Sequence, residues 1–132
     1  MAPGKLDIAP FRKALASLKK VMKLDANDEV IRDAAIQRFE YTYELAWKMM
    51  ERHINWARAE RQGAPMMRRE LFREAARYGL VVDPVRWFDH QEARNGTSHA
   101  YDESKARAVF ASIPAFVTDA DHLLKALLES HA

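Results

Sequence analysis

The chain has no cysteine, which excludes disulfides and thiolate metal ligands. Four glycines and five prolines in 132 residues are too few for a fibrous or low-complexity chain, and most of them fall between segments of regular apolar spacing. No stretch approaches the roughly 18 consecutive apolar residues that span a bilayer. Residues 1–5 are not followed by the apolar run of a signal peptide. A cytoplasmic protein with no membrane association is the expectation. Neither sign of charge dominates: 21 Lys and Arg against 19 Asp and Glu leave a net charge of +2. Charge balance alone therefore says little about partners.

What is present is an ordinary globular composition, 48% apolar and 30% charged. The length suits one domain over 1–132 that buries a core without staples. Five helices are legible from apolar periodicity. The first is expected over about 5–24, with Phe11, Leu15, Leu18 and Met22 in register. The second, over about 28–60, carries two stripes. Ile31, Ala35, Phe39, Thr42, Ala46, Met49, His53 and Trp56 form one; Ile36, Tyr43, Trp47, Met50, Ile54 and Ala57 form the other. At 100° per residue they merge into an arc of roughly half the circumference. Asp33, Gln37, Glu40, Glu44, Lys48, Glu51 and Asn55 occupy the opposite face. So broad an arc demands two packing neighbours, or neighbours and a second subunit.

Residues 61–65 break the chain. Pro65 suits the first turn of a third helix over 66–78, and Gly79 its C′ position. Asp83 and Pro84 supply an N-cap and N1 for a fourth helix, which Gly96 can end. The last is expected over about 102–129, kinked at Pro114. No strand alternation or internal repeat interrupts this order. The fold class is all-α, an antiparallel up-and-down bundle of four to five helices. Seven arginines between Arg52 and Arg77 could meet phosphate, yet the interleaved Glu51, Glu60, Glu70 and Glu74 read as a solvated face.

The segment Arg94-Asn95-Gly96-Thr97-Ser98-His99-Ala100-Tyr101-Asp102 lacks the apolar periodicity of its neighbours. Arg94 offers a planar fork suited to phosphate. His99 carries an imidazole whose ordinary pKa lies near neutrality, so it can take and give a proton. Asn95, Thr97, Ser98 and Tyr101 add an amide, two hydroxyls and a phenol as candidate nucleotide-binding groups, and Gly96 lets the backbone turn. Such a set could bind a phosphodiester and move a proton on it with no metal or cofactor. A connecting loop has the same composition; in that reading His99 caps the next helix and Arg94 pairs with Glu92 or Asp102. Elsewhere, His90 and His99 lack the spacing of a metal pair. The neighbours Asp89-His90 and Asp121-His122 point in different directions on a helix. His53 and Trp56 read as core. Arg32 falls within the apolar arc but can project at the helix start; Arg38, at its edge, calls for a specific interhelix or intersubunit partner.

Two runs carry a family resemblance that covers nearly the whole chain. Residues 31–48, Ile-Arg-Asp-Ala-Ala-Ile-Gln-Arg-Phe-Glu-Tyr-Thr-Tyr-Glu-Leu-Ala-Trp-Lys, resemble the signature of the nucleotidyltransferase substrate-binding proteins, small helical members of the HEPN superfamily. Residues 94–103, from Arg94 through His99 and Tyr101 to Glu103, are similar to that family's R-x4-H-x-Y element. Gly96 departs from the larger aliphatic expected there. The resemblance implies a homodimer with the two motifs facing each other, and a minimal nucleotidyltransferase as partner. It implies, for the HepT-type toxins of the family, metal-independent cleavage of RNA by Arg94 and His99. The partner, acting as antitoxin, would silence this by adding AMP to Tyr101. Other members of this branch serve as non-catalytic binding subunits, so the resemblance leaves both readings open.

Overall fold

The computed structural model describes residues 4–59 and 65–131. Five α-helices follow one another: α1 (Ala9–Met22), α2 (Glu29–Ala57), α3 (Arg68–Arg77), α4 (Pro84–Gly96) and α5 (Glu103–His131), with a 3-10 turn at Thr97–His99 between the last two. No strand is present among the described residues. The all-α bundle is the architecture its periodicity demands.

The helix ends follow from local chemistry. α1 begins at Ala9, four residues later than expected, with proline in its first turn and the Ala9 N–H donated to the Asp7 side chain at 3.0 Å. Proline fits only there, because its missing N–H would have had no partner in any case. Asp28 and Asp83 cap α2 and α4 by accepting the N–H of Val30 at 2.8 Å and of Val85 at 2.9 Å, the usual service of a carboxylate at that position. Pro65 stands ahead of α3 and not in its first turn, which starts after Met67. The break expected at 61–64 lies outside the described residues. Gly79 takes φ +76° and closes α3: its N–H reaches the Ala76 carbonyl at 3.1 Å and that of Leu80 the Ala75 carbonyl at 2.9 Å, the paired bonds of a left-handed C-terminal cap. Pro114 sits exposed within a helix that runs on to His131.

Both stripes of α2 are used. Ala35, Ile36, Phe39, Thr42, Tyr43, Ala46, Met49, Met50, His53 and Ile54 are buried, and α2 packs against α1, α3, α4 and α5. Neighbours in the same chain therefore cover the arc, which no longer argues for a second subunit. At the centre Phe116 meets Phe39 edge-on at 5.0 Å, His90 at 5.4 Å and Trp87 at 5.8 Å between ring centroids. Arg38 finds the interhelix partner expected of it, the Ser17 carbonyl on α1 at 2.8 Å. Arg32 does not project; its side chain is only 12% exposed. Three of the arginines of α3, Arg68, Arg69 and Arg73, lie over aromatic faces. Arg68 is 3.4 Å from the Trp47 ring centroid and Arg69 4.7 Å from that of Phe88, so part of the face read as solvated has a definite seat.

Two histidines tie the ends of the fold together. The Leu6 N–H donates to His131 Nδ1 at 3.2 Å, and His131 Nε2 lies 2.8 Å from His53 Nδ1. With Nδ1 accepting, Nε2 must carry the proton and donate to His53, so both rings are held neutral. Burial pushes His53, His90 and His131 below the ordinary histidine value; a second contribution comes from His131 for His53 and from Lys5 for His131. The sign follows. The unfolded chain binds protons near pH 6.5 that the folded one resists, so stability is complete above that pH and falls as pH drops below it. The melting temperature is expected to decline progressively from pH 7 to pH 5. A melting temperature unchanged over that range would overturn this account.

Candidate functional site

The polar segment singled out in the sequence is not a loop of free shape. α4 buries Trp87 and His90. His90 Nε2 lies 2.6 Å from Asp119 Oδ2 on α5, and Arg86 Nε donates to both oxygens of the same carboxylate at 3.1 and 2.9 Å. This cluster, with His90 and Asp119 buried and Arg86 closing it from the exposed side, fixes α4 against α5. Burial lowers the His90 pKa, and the bond to Asp119 opposes that. Arg94 follows His90 by one helical turn, so the clamp sets where its guanidinium emerges. Sequence reasoning missed the cluster, since nothing local ties Asp119 to residues 29 or more positions away.

Gly96 is the last residue of α4 and has helical angles, φ −68° and ψ −17°. It does not make the turn expected of it. A side-chain carbon built on it would lie 3.4 Å from a Val109 methyl on α5, about van der Waals distance. The chain then makes one 3-10 turn, Thr97–His99. Thr97 Oγ1 donates to the Arg94 carbonyl at 2.7 Å and accepts from Arg94 Nη1 at 3.1 Å. Ser98 Oγ donates to the Asn95 carbonyl at 3.1 Å. Asp102, and not His99, caps α5, accepting the Lys105 N–H at 3.2 Å.

Arg94 pairs neither with Glu92 nor with Asp102. Its partners lie on α2: Nη2 is 3.5 Å from Glu40 and Nε 3.2 Å from Glu44. The other Glu44 oxygen accepts the Trp47 indole N–H at 2.9 Å. Glu40 and Glu44 had been read as part of a polar outer face; their spacing of one turn is the signal that marks them as a pair facing one cation. Arg94 Nε is buried and, although 3.2 Å from Glu44, makes no hydrogen bond to it, so this contact is an ion pair only. Next to Arg94, Tyr43 is buried, and that burial raises its phenol pKa.

His99 and Tyr101 stand outside the core. Tyr101 is 86% exposed, and its ring meets that of His99 edge-on with centroids 6.2 Å apart. Asn95 and Ser98 are exposed, and Thr97 is half-buried under Arg94. The structure thus brings together an anchored guanidinium, an accessible imidazole and an accessible phenol at one end of α4. The Ser98 hydroxyl is turned back onto the Asn95 carbonyl. Among the described residues no group of three His, Asp or Glu side chains could hold a metal ion. No helix among them is long and apolar enough to cross a membrane.

Comparison with known proteins gives a consistent picture. The family described as nucleotidyltransferase substrate binding protein like matches residues 6–129. A protein of Haemophilus influenzae named probable ribonuclease HepT is 38% identical over 140 residues, which cover 96% of this chain and 95% of that protein. A solved Haemophilus influenzae structure, described as revealing the fold of a substrate binding domain of a nucleotidyltransferase, superposes with a TM-score of 0.85 at 31% identity, covering 92% of this chain and 98% of that one. A crystal structure of a Thermus thermophilus protein superposes with a TM-score of 0.77 at 34% identity, covering 89% and 98%.

Proposed function

Given that this chain belongs to the nucleotidyltransferase substrate-binding protein-like family, we propose that it is a metal-independent endoribonuclease, the toxin of a pair whose antitoxin is a nucleotidyltransferase that adds AMP to Tyr101. The observation that carries the reading is the clasp between Arg94 and Thr97. It joins the Arg94 guanidinium to the turn that bears His99 and, two residues on, Tyr101. The likeness to a protein named probable ribonuclease HepT supports the substrate class.

Metal-free cleavage uses the ribose 2′-hydroxyl as nucleophile. A base takes its proton, the O2′–P bond forms, and the P–O5′ bond breaks as an acid protonates the leaving oxygen. Arg94 stabilises the charge that builds on the phosphorane. One chain supplies one such histidine, so the two proton transfers call for a homodimer in which His99 of each subunit takes one role. In the silencing step the Tyr101 oxygen attacks the α-phosphorus of ATP, pyrophosphate leaves, and the phenol proton passes to solvent. The bulky anion left on Tyr101 then opposes RNA phosphate at the same turn.

A second reading rests on the carboxylates. Glu40 and Glu44 oppose Arg94 within the chain, as they would in a binding subunit whose arginine only organises a docking surface for the nucleotidyltransferase. One experiment separates the two. The purified protein, sized by light scattering, is incubated with RNA in EDTA. A dimer that cleaves under these conditions supports the toxin. Activity that requires Mg²⁺, or a monomer at micromolar concentration, sinks the shared acid–base site. No cleavage at all leaves the binding subunit.

A further inference from the structure

A separate cleft lies between the start of α2 and the first two turns of α5. It has a volume of about 490 Å³ and is lined by Asn27, Glu29, Arg32, Glu103, Arg107 and Phe110, with Ala26 at its edge. No residue of 94–101 lines it. Arg32 is the telling feature. Its side chain is 12% exposed, its nearest carboxylate is Glu103 at 3.7 Å, and its Nε is buried without any hydrogen bond. A guanidinium removed this far from water demands an anion at closer range. Glu103 is a poor one. It is 66% exposed and gives its Oε1 to Arg107 at 2.8 Å, so one oxygen serves both arginines, and at the longer distance the interaction is weak. Exposed pairs of this i, i+4 kind contribute little, so Glu103 is easily displaced.

We propose that this cleft binds a nucleoside monophosphate, with the phosphate between Arg32 and Arg107 in place of the Glu103 carboxylate, and the base against Phe110. A phosphate monoester brings three terminal oxygens where Glu103 turns only Oε1 to the two arginines, and each planar guanidinium can meet two oxygens at once. Phe110 is half-buried and provides the apolar wall that a base requires and a bare phosphate does not. The volume falls in the range of small-ligand sites. Glu29 at the rim opposes any ligand with anionic groups beyond the one phosphate, which favours a monophosphate over a triphosphate. Arg94, His99 and Tyr101 do not line the cleft, so the proposal does not depend on RNA cleavage.

Titration calorimetry with AMP, inorganic phosphate and adenosine tests it on the full chain. AMP should bind, and Glu103→Gln, which removes the internal competitor, should bind AMP more tightly. Arg32→Gln and Arg107→Gln should each weaken AMP about tenfold or more. Arg107 is 67% exposed, so its variant tests the site even if Arg32→Gln fails to fold. Amide shifts around Phe110 should accompany binding in the wild type. Phosphate binding as tightly as AMP would overturn the nucleoside assignment. AMP affinity unchanged in both Glu103→Gln and Arg107→Gln would overturn the site.

Discussion

Replacing His99 by alanine should lower RNA cleavage by about 10²–10⁴-fold, the usual loss when a positioned acid–base group is removed. Tyr101→Phe should leave most of the cleavage intact, because it keeps the ring beside His99 and loses only the hydroxyl. The two variants should exchange places in the second assay. Tyr101→Phe can no longer accept AMP from the cognate nucleotidyltransferase, whereas His99→Ala retains the phenol and the turn that carries it. Exposure makes the contrast clean. Tyr101 is 86% exposed and His99 is also exposed, so neither change removes core packing, and surface substitutions of this kind usually shift stability by less than about 0.5 kcal/mol. Equal loss of cleavage in the two variants would place the phenol in the chemistry. AMP found by mass spectrometry on Tyr41, Tyr43 or Tyr78 would remove Tyr101 from regulation. Tyr43 is an unfavourable acceptor on structural grounds, being 2% exposed.

Phe116→Ala should be the most damaging single change to the fold. Phe116 is fully buried where α2, α4 and α5 converge, with Phe39, Tyr43, Trp87 and His90 around its ring. Truncating such a side chain costs about 3–5 kcal/mol, from lost transfer energy and the cavity left behind. Domains of this kind have only about 5–15 kcal/mol in all. The melting temperature should fall by roughly 10–20 °C. His90 would also lose one wall of its pocket, so the His90–Asp119 contact that fixes α4 should loosen and cleavage by the surviving folded fraction should drop. Denaturant unfolding followed by circular dichroism measures the first effect. A loss below about 1 kcal/mol would mean that the cavity collapses and that the three-helix junction is not the keystone assigned to it.

The helices were legible because their signals are local. Apolar residues at i, i+3 and i+4 need no knowledge of the neighbour they will meet. Asp83 and Gly79 act on backbone groups two or three residues away. The start of α1 and the place of Pro65 were misjudged for a related reason: a helix end depends on which N–H finds an acceptor, and apolar periodicity does not report that. The motif Arg94, His99 and Tyr101 was visible as a composition, and the resemblance implied the role proposed for it.

By itself, then, the sequence determined that this chain is helical, where the caps and most apolar faces lie, and which short segment concentrates exchangeable protons and a guanidinium. Tertiary structure decided everything that depends on residues far apart in the chain. It assigned Arg94 to Glu40 and Glu44 when nearer carboxylates were available, because α4 crosses α2 with that face inward. It made Asp119 the anchor of His90 and Arg86. It joined Leu6, His53 and His131 across the bundle, and it gave Gly96 helical angles at the end of α4 where a turn was expected. The physical reason is the range of the forces. Periodicity and capping act within a turn or two of helix, whereas burial and ion pairing are fixed only when distant surfaces meet and exclude water.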